Sequence, residues 1–178
     1  MNIKTKDLTK MALFVALIAV GAFISIPIGP VPFSLQNFFV FMAGLLLTPV
    51  QAFLTVLVYV LLGLIGIPIF AGFTGGFQYV FSPTFGFLIS FIIGAYVISK
   101  LAYKEEKFGK IMAVLILAEV IFYAIALPYF YLIMKNVNGN PMALNKIMSM
   151  AMIPFIIPDI AKAVVAALIA PRIRKSIK

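Results

Sequence analysis

Ile156-Ile-Pro-Asp-Ile-Ala-Lys-Ala-Val-Val-Ala-Ala-Leu-Ile-Ala170 places one carboxylate, Asp159, and one ammonium, Lys162, inside an otherwise apolar run. The run extends from about Ile147 to Ala170. At 1.5 Å per residue that is long enough to cross a bilayer core of roughly 30 Å. Asp159 and Lys162 are about 60° apart around a helix axis, so they share a face and can pair. Ionisable groups at membrane depth are costly and point to a functional site by default. Two readings stay open: an ion pair that fixes helix register, or a polar anchor for a ligand. Pro154 and Pro158 lack N–H donors, which frees the carbonyls of Met150 and Pro154 in the same region.

Outward from this stretch, the whole chain reads the same way. Of 178 residues, 64% are hydrophobic and only 11% charged, against roughly 25% charged in soluble proteins. Nineteen charges cannot cover the surface of a globule this size, which excludes a soluble enzyme, a disordered chain and a disulfide scaffold. The expectation is an all-α integral membrane protein forming a single domain, 1–178. Six spans are predicted: Leu8–Ile28, Leu35–Leu47, Val50–Ile65, Pro83–Leu101, Ile111–Met134 and Ile147–Ala170. Thr48-Pro49 turns the second and third into a tight hairpin. Lysines ahead of the first run resemble a signal peptide, but the run is long and no small-residue cleavage site follows, so a retained helix is expected.

Fourteen Lys and Arg against five Asp and Glu give a net charge of +9. Their position between apolar runs points to membrane flanks and not to nucleic acid. Lys4, Lys6, Lys10, Lys100, Lys104, Lys107, Lys110, Arg172, Arg174, Lys175 and Lys178 fall on one face of a six-span arrangement, and only Lys135 and Lys146 on the other. Positive charge favours the cytoplasm, so both termini are predicted cytoplasmic. The segment from Gly66 to Pro83 is then external. It has no charge, four glycines and many apolar side chains. It is either a loop packed on the helix ends or a lid over an outward-facing pocket.

Further polar positions are candidates. Glu119, with Tyr123 one turn on, faces the same cavity, a partner protein or the cytoplasmic side. Pro128 frees the carbonyl of Ala124. Ser34 and Gln36 either cap the second helix, Ser34 being a suitable N-cap, or line a pocket mouth. Ala12-x-x-x-Ala16, followed by Ala19 and Gly21-Ala22, permits close helix packing, inside the bundle or against another membrane protein. There is no Cys and no His, which excludes disulfides, thiolate nucleophiles, the usual zinc sites and a Ser-His-Asp triad. No phosphate-binding Gly-x-x-x-x-Gly-Lys motif is present. Uphill transport would need a partner ATPase or ion coupling. A proton-coupled carrier using Glu119 and Asp159 and a small membrane enzyme are the competing classes.

The ordered motifs Ile26-Pro-Ile-Gly-Pro-Val-Pro-Phe-Ser-Leu-Gln-Asn-Phe-Phe-Val40, Ala43-Gly-Leu-Leu-Leu47, Tyr59-Val-Leu-Leu-Gly-Leu-Ile-Gly-Ile-Pro-Ile-Phe-Ala-Gly72, Gly75-Gly76, Ser82-Pro-Thr-Phe-Gly86 and Pro158-Asp-Ile-Ala-Lys162 resemble the BioY family. BioY proteins are biotin-binding S components of energy-coupling-factor (ECF) transporters, multi-pass proteins of the prokaryotic plasma membrane. The resemblance covers residues 8 to 170. It implies a six-helix S-component bundle that captures biotin from outside, partnered by a transmembrane coupling protein and two cytoplasmic ATPases. It implies no cofactor. Asp159 and Lys162 match the family's Asp-x-x-Lys on the last helix, associated with biotin binding. Gly72, Thr74, Gly75 and Ser82 fall in its lid, and Ala12 and Ala16 on its coupling-protein face. An S component for another vitamin is the neighbouring alternative. Departures from the family pattern occur at Phe73, Ser82 and Phe85.

Biotin's chemistry suits such a site. Asp159 would accept a ureido N–H, while Lys162 pairs with Asp159 or donates to the ureido carbonyl. Phe and Tyr side chains, Tyr123 among them, would enclose the rings. The carboxylate would then lie near Ser34, Gln36, Thr74 or the glycine loop. The reverse orientation, with Lys162 on the carboxylate, stays open as the alternative.

Overall fold

The computed structural model describes residues 4–28, 31–139 and 141–176. Among the described residues, seven α-helices follow one another: α1 (Thr5–Phe23), α2 (Gln36–Leu46), α3 (Pro49–Leu64), α4 (Phe85–Ala102), α5 (Phe108–Asn136), α6 (Leu144–Ala151) and α7 (Ile153–Ser176). Two short strands, β1 (Ser25–Ile28) and β2 (Val31–Ser34), lie between α1 and α2, and a 3-10 turn spans Phe77–Phe81. Helices α4, α5 and α7 are long and apolar enough to cross a membrane; α2 and α3 are apolar but shorter. Helix α4 is central, packing on α2, α3 and α5, while α7 lies against α2 and α5.

Two expected spans are corrected. The first helix stops at Phe23, not Ile28, because Pro27, Pro30 and Pro32 cannot continue a helix. Ser25–Ile28 and Val31–Ser34 instead pair as antiparallel strands in which Pro27 faces Pro32, so the missing donors fall on one rung. The last span is not continuous either. It breaks at Met152 into α6 and α7, since the ring of Pro154 would strike the carbonyl one turn back. Pro154 sits instead in the first turn of α7, where no donor is required.

The expected hairpin between α2 and α3 forms with α2 and α3 bounded within one residue of the sequence reading. Thr48 caps α3, with its N–H donating to Gln51 Oε1 at 3.1 Å and Pro49 in the first turn. The end of α2 is satisfied from elsewhere. Ser99 Oγ donates to the Leu47 carbonyl at 2.6 Å, and the Arg174 guanidinium donates to Leu45 and Glu105 carbonyls at 2.7 and 2.8 Å. These bonds tie α7 to α2 and to the α4–α5 connection, covering carbonyls that a helix terminus leaves open.

The loop from Gly66 to Thr84 folds back onto the bundle. Phe70 is fully buried, set against Gly63 and edge-on to Tyr59 at 5.7 Å. A Cβ on Gly63 would lie 2.1 Å from the Phe70 ring, so this helix position must be glycine for the loop to seat. Gly76 N–H donates to the Gly63 carbonyl at 2.7 Å, and the Tyr129 hydroxyl donates to the Val80 carbonyl. Phe73 holds φ +56°, a left-handed conformation that favours glycine. Its ring stacks on Phe23 at 4.5 Å. The departure from the family pattern at this position therefore substitutes a stacking contact for an unstrained backbone.

Gly63→Leu is expected to expel Phe70 and destabilise the chain by about 1–3 kcal/mol, as overpacking does. Thermal unfolding in detergent would measure the loss. Faster amide exchange over residues 66–84 would locate it in the loop.

Candidate binding site

Four of the buried polar side chains, Gln36, Asn37, Asp159 and Lys162, meet in one place, while Thr55, Ser90 and Ser99 lie away from it. The β1–β2 pair delivers Ser34, and the first turn of α2 delivers Gln36 and Asn37. Helix α5 contributes Glu119 and Tyr123, four residues apart on one face, and α7 contributes Asp159 and Lys162. Gln36, Asn37, Asp159 and Lys162 are each less than 9% exposed.

Lys162 Nζ donates to Asp159 Oδ1 at 2.8 Å, to Asn37 Oδ1 at 2.8 Å and to the Ser34 carbonyl at 2.9 Å. An ammonium has three N–H donors, and here all three have acceptors. The Phe33 ring lies 4.4 Å from the same nitrogen, a distance at which cation–π attraction adds to the set. Asn37 Nδ2 donates to Asp159 Oδ1 at 2.8 Å and to Glu119 Oε1 at 3.1 Å. The amide orientation follows from chemistry, since flipping it would aim N–H groups at an ammonium. Tyr123 donates to Asp159 Oδ2 at 2.6 Å. Oδ2 thus keeps a lone pair that the protein does not fill, and Glu119 keeps a carboxylate oxygen with no protein partner among the described residues.

These groups line a cavity of about 70 Å³ together with Val31, Phe87 and Phe91 on the apolar side. Phe91 and Phe41 pack on Phe122 at 4.8 and 5.9 Å, and Phe87 meets Tyr123 edge-on at 6.0 Å. The surroundings are therefore aromatic on one side and hydrogen-bonding on the other, an arrangement suited to a small ligand with an apolar body and polar edge. From the loop, Ala71, Tyr79 and Thr84 reach the cavity. Burial pushes the Tyr79 hydroxyl above its ordinary range, so it stays protonated beside Thr84 at 3.1 Å.

The structure brings together Ser34, Gln36, Tyr123, Asp159 and Lys162, and settles Glu119 on the cavity side. It does not bring Gly72, Thr74, Gly75 or Ser82 to the cavity wall. Gly75 lies against the Ile67 carbonyl, Thr74 Oγ1 donates to the Ala71 carbonyl, and Ser82 touches the cavity only through Thr84 Oγ1 at 2.9 Å. Ser34 is not the N-cap of α2, a position Leu35 takes; its hydroxyl accepts the Gln36 N–H at 3.3 Å from one residue further out. Gln36 turns partly away, donating to Tyr59 Oη at 3.1 Å, which donates to the Ile69 carbonyl at 2.7 Å. Asn37, the residue that joins all three ionisable groups, escaped sequence reasoning. Its signal was an uncharged amide inside the Leu35–Leu47 run.

The BioY family model matches residues 1–178. The chain belongs to the BioY family. Among relatives, it is 45% identical over 170 residues to the biotin transporter BioY of Thermotoga maritima, with 96% of each chain covered. It is 40% identical over 171 residues to a probable biotin transporter BioY of Pyrococcus horikoshii, covering 96% of this chain and 98% of that one. Among solved structures, the S-component for biotin from an ECF-type ABC transporter superposes with a TM-score of 0.80 at 27% identity, covering 98% and 95% of the two chains. FolT bound with folic acid gives 0.64 at 16% identity, with 95% and 91% covered. That second likeness shows the fold alone. One fold carries different ligands, so the ligand must be argued from the site.

Replacing Asn37 by Leu removes a shared donor from two carboxylates and an acceptor from Lys162. A loss of about 1–3 kcal/mol is expected for groups left unsatisfied, measured as a lowered unfolding temperature in detergent. Tyr123→Phe removes one donor from Asp159 and should shift it less.

Proposed function

We propose that this BioY-family chain is the biotin-capturing membrane subunit of an uptake system in a prokaryotic plasma membrane. It takes biotin from the outer side, in the cavity beneath the Gly66–Thr84 loop. It passes biotin inward with an ECF module made of a transmembrane coupling protein and two cytoplasmic ATPases. The observation that carries this reading is the Asp159–Asn37–Lys162 cluster on the wall of an aromatic-lined cavity. Relatives named as biotin transporters and the fold of a biotin S-component support the choice of ligand.

A ureido ring offers two N–H donors and a strong carbonyl acceptor. The open lone pair of Asp159 Oδ2 and the Glu119 carboxylate are acceptors for those donors. Lys162 can exchange the Ser34 carbonyl for a ligand oxygen without leaving Asp159 or Asn37. Phe87, Phe91 and Tyr123 would enclose the apolar rings, and the ligand carboxylate would lie toward Ser34, Gln36 and Thr84.

The cavity of about 70 Å³ is well below the roughly 300 Å³ where small-molecule pockets begin, so capture requires the walls to part. Two elements can yield. The loop pivots at Gly66, Gly72 and Gly76, all at positive φ, and it would carry Gly72, Thr74, Gly75 and Ser82 over the ligand as a lid. Helix α6 and the start of α7 border an apolar groove of about 570 Å³ whose walls include Glu119, Tyr123 and Asp159, so their outward movement would merge the two spaces.

Six spans with both termini cytoplasmic complete the proposal, supported by the concentration of cations at one end of the helices. Ala12 and Ala16 are exposed on α1; internal packing does not use them, and they are free to face the coupling protein.

Calorimetry of biotin with the purified chain tests the ligand and the site together. Asp159→Ala should weaken binding by about 10²–10⁴-fold, the equivalent of roughly 3–5 kcal/mol for a broken buried pair. Unchanged binding in that variant would remove the site assignment. Ala16→Leu should keep biotin binding while lowering co-purification with the coupling protein and cellular biotin uptake. Equal co-purification would remove Ala16 from the docking face.

A further inference from the structure

A second concavity, of about 750 Å³, lies between α1, α2 and α7, toward the opposite ends of α2, α4 and α7 from the candidate site. Its walls are apolar, with Leu13, Leu17, Phe39 and Ile169 along its length. Leu13 is 56% exposed, so the groove is open. Its rim is not apolar. Lys10, Lys104, Arg174 and Lys175 line it, against a single acid, Glu106.

The four cations are not equivalent. Lys175 pairs with Glu106 at 3.9 Å. Arg174 donates from its two terminal nitrogens to the carbonyls of Glu105 and Leu45, which fixes its guanidinium in place on the rim. Among the described residues, Lys10 and Lys104 form no salt bridge. Lys104 is also held in an unusual way. After α4 ends, Tyr103 N–H donates to the Ser99 carbonyl and Glu105 N–H to the Ala102 carbonyl, which leaves Lys104 at φ +66°. Glycine or asparagine takes that left-handed position with less strain. A lysine there sets its ammonium 5.3 Å from the Tyr103 ring, and both residues line the groove.

An apolar trough ending in uncompensated ammonium groups, at one end of membrane-spanning helices, is complementary to an amphiphile with an anionic head. We propose that this groove holds one anionic phospholipid, its phosphodiester between Lys10 and Lys104 and an acyl chain along Leu13, Leu17 and Ile169. A zwitterionic lipid would bring its own cation to a rim that already carries four. The groove adjoins the face proposed for the coupling protein without coinciding with it. Positions 10, 13 and 17 centre about 110° around α1 from positions 12 and 16, with Leu13 and Ala16 neighbours at the boundary, about 60° apart. The inference does not depend on the ligand of the candidate site.

The test uses the full chain reconstituted in vesicles of equal phosphatidylglycerol and phosphatidylcholine, extracted gently and weighed intact by native mass spectrometry. Phosphatidylglycerol should be retained selectively. Lys10→Gln with Lys104→Asn should lower that retention by about thirtyfold, as expected for two lost headgroup lysines. Asparagine tolerates the left-handed position, so Lys104→Asn alone should unfold at the wild-type temperature or above while retaining less phosphatidylglycerol. Equal retention of the two lipids, or unchanged retention in the double variant, would overturn the proposal. So would a stable two-copy species without bound lipid, which would assign the groove to a second chain.

Discussion

A lysine ammonium buried among apolar helices is the demand around which the upper half of this molecule is organised. Lys162 must find three acceptors away from bulk water, and no single element can provide them. It takes Asp159 from its own helix, the Asn37 side chain from α2 and the Ser34 backbone carbonyl from the end of β2. Breaking any one leaves a buried charge short of a partner, so the cation fixes where α2 begins relative to α7. The β-hairpin follows from the same need. A helix continuing past Phe23 would have its carbonyls occupied within itself, whereas the proline-interrupted strands turn the Ser34 carbonyl toward Lys162.

The loop over the cavity is tied down by different forces. Phe70 in its socket against Gly63 contributes burial, and the Gln36–Tyr59–Ile69 hydrogen bonds connect the loop to the first turn of α2. Because Gln36 and Asn37 are adjacent, the loop and the charged cluster share one helical turn. A change at the cluster that rotates this turn is felt at Ile69, and a shift of the loop is felt at Asn37. That adjacency gives a physical route from an occupied site to a repositioned loop.

Much of the helical layout was legible in the sequence because apolar length is a strong signal, and α2, α3, α4 and α5 begin and end near their predicted limits. Errors came where proline decides. Hydropathy cannot tell an apolar strand from an apolar helix, so Ser25–Ile28 was assigned to α1, and the break at Met152 lay hidden in a continuous apolar run. In the site, Asp159, Lys162 and Glu119 declared themselves as charges out of place. Asn37 did not, because an amide costs less to bury than a charge and draws less attention. The lid residues were placed by motif, and a motif in a loop records backbone requirements as much as contacts. Gly75 is glycine because the Ile67 carbonyl leaves its Cβ no room, a reason unrelated to the cavity.

The saturation of Lys162 also bears on selectivity. A ligand oxygen that replaces the Ser34 carbonyl exchanges one hydrogen bond for another, so the ammonium contributes little net affinity to any single acceptor. What it enforces is a penalty on a ligand that displaces a partner without replacing it, since a buried donor would then go unpaired. On the proposed reading, discrimination would rest on the ligand filling Asp159 Oδ2, Glu119 and Lys162 together, with an apolar body on Phe87 and Phe91. An apolar molecule of the right shape cannot meet that condition, and neither can a polar one without the rings. On the proposed reading, the cluster that stabilises the bundle also sets a threshold for occupancy, because a ligand that displaces the Ser34 carbonyl from Lys162 must replace the bond it breaks.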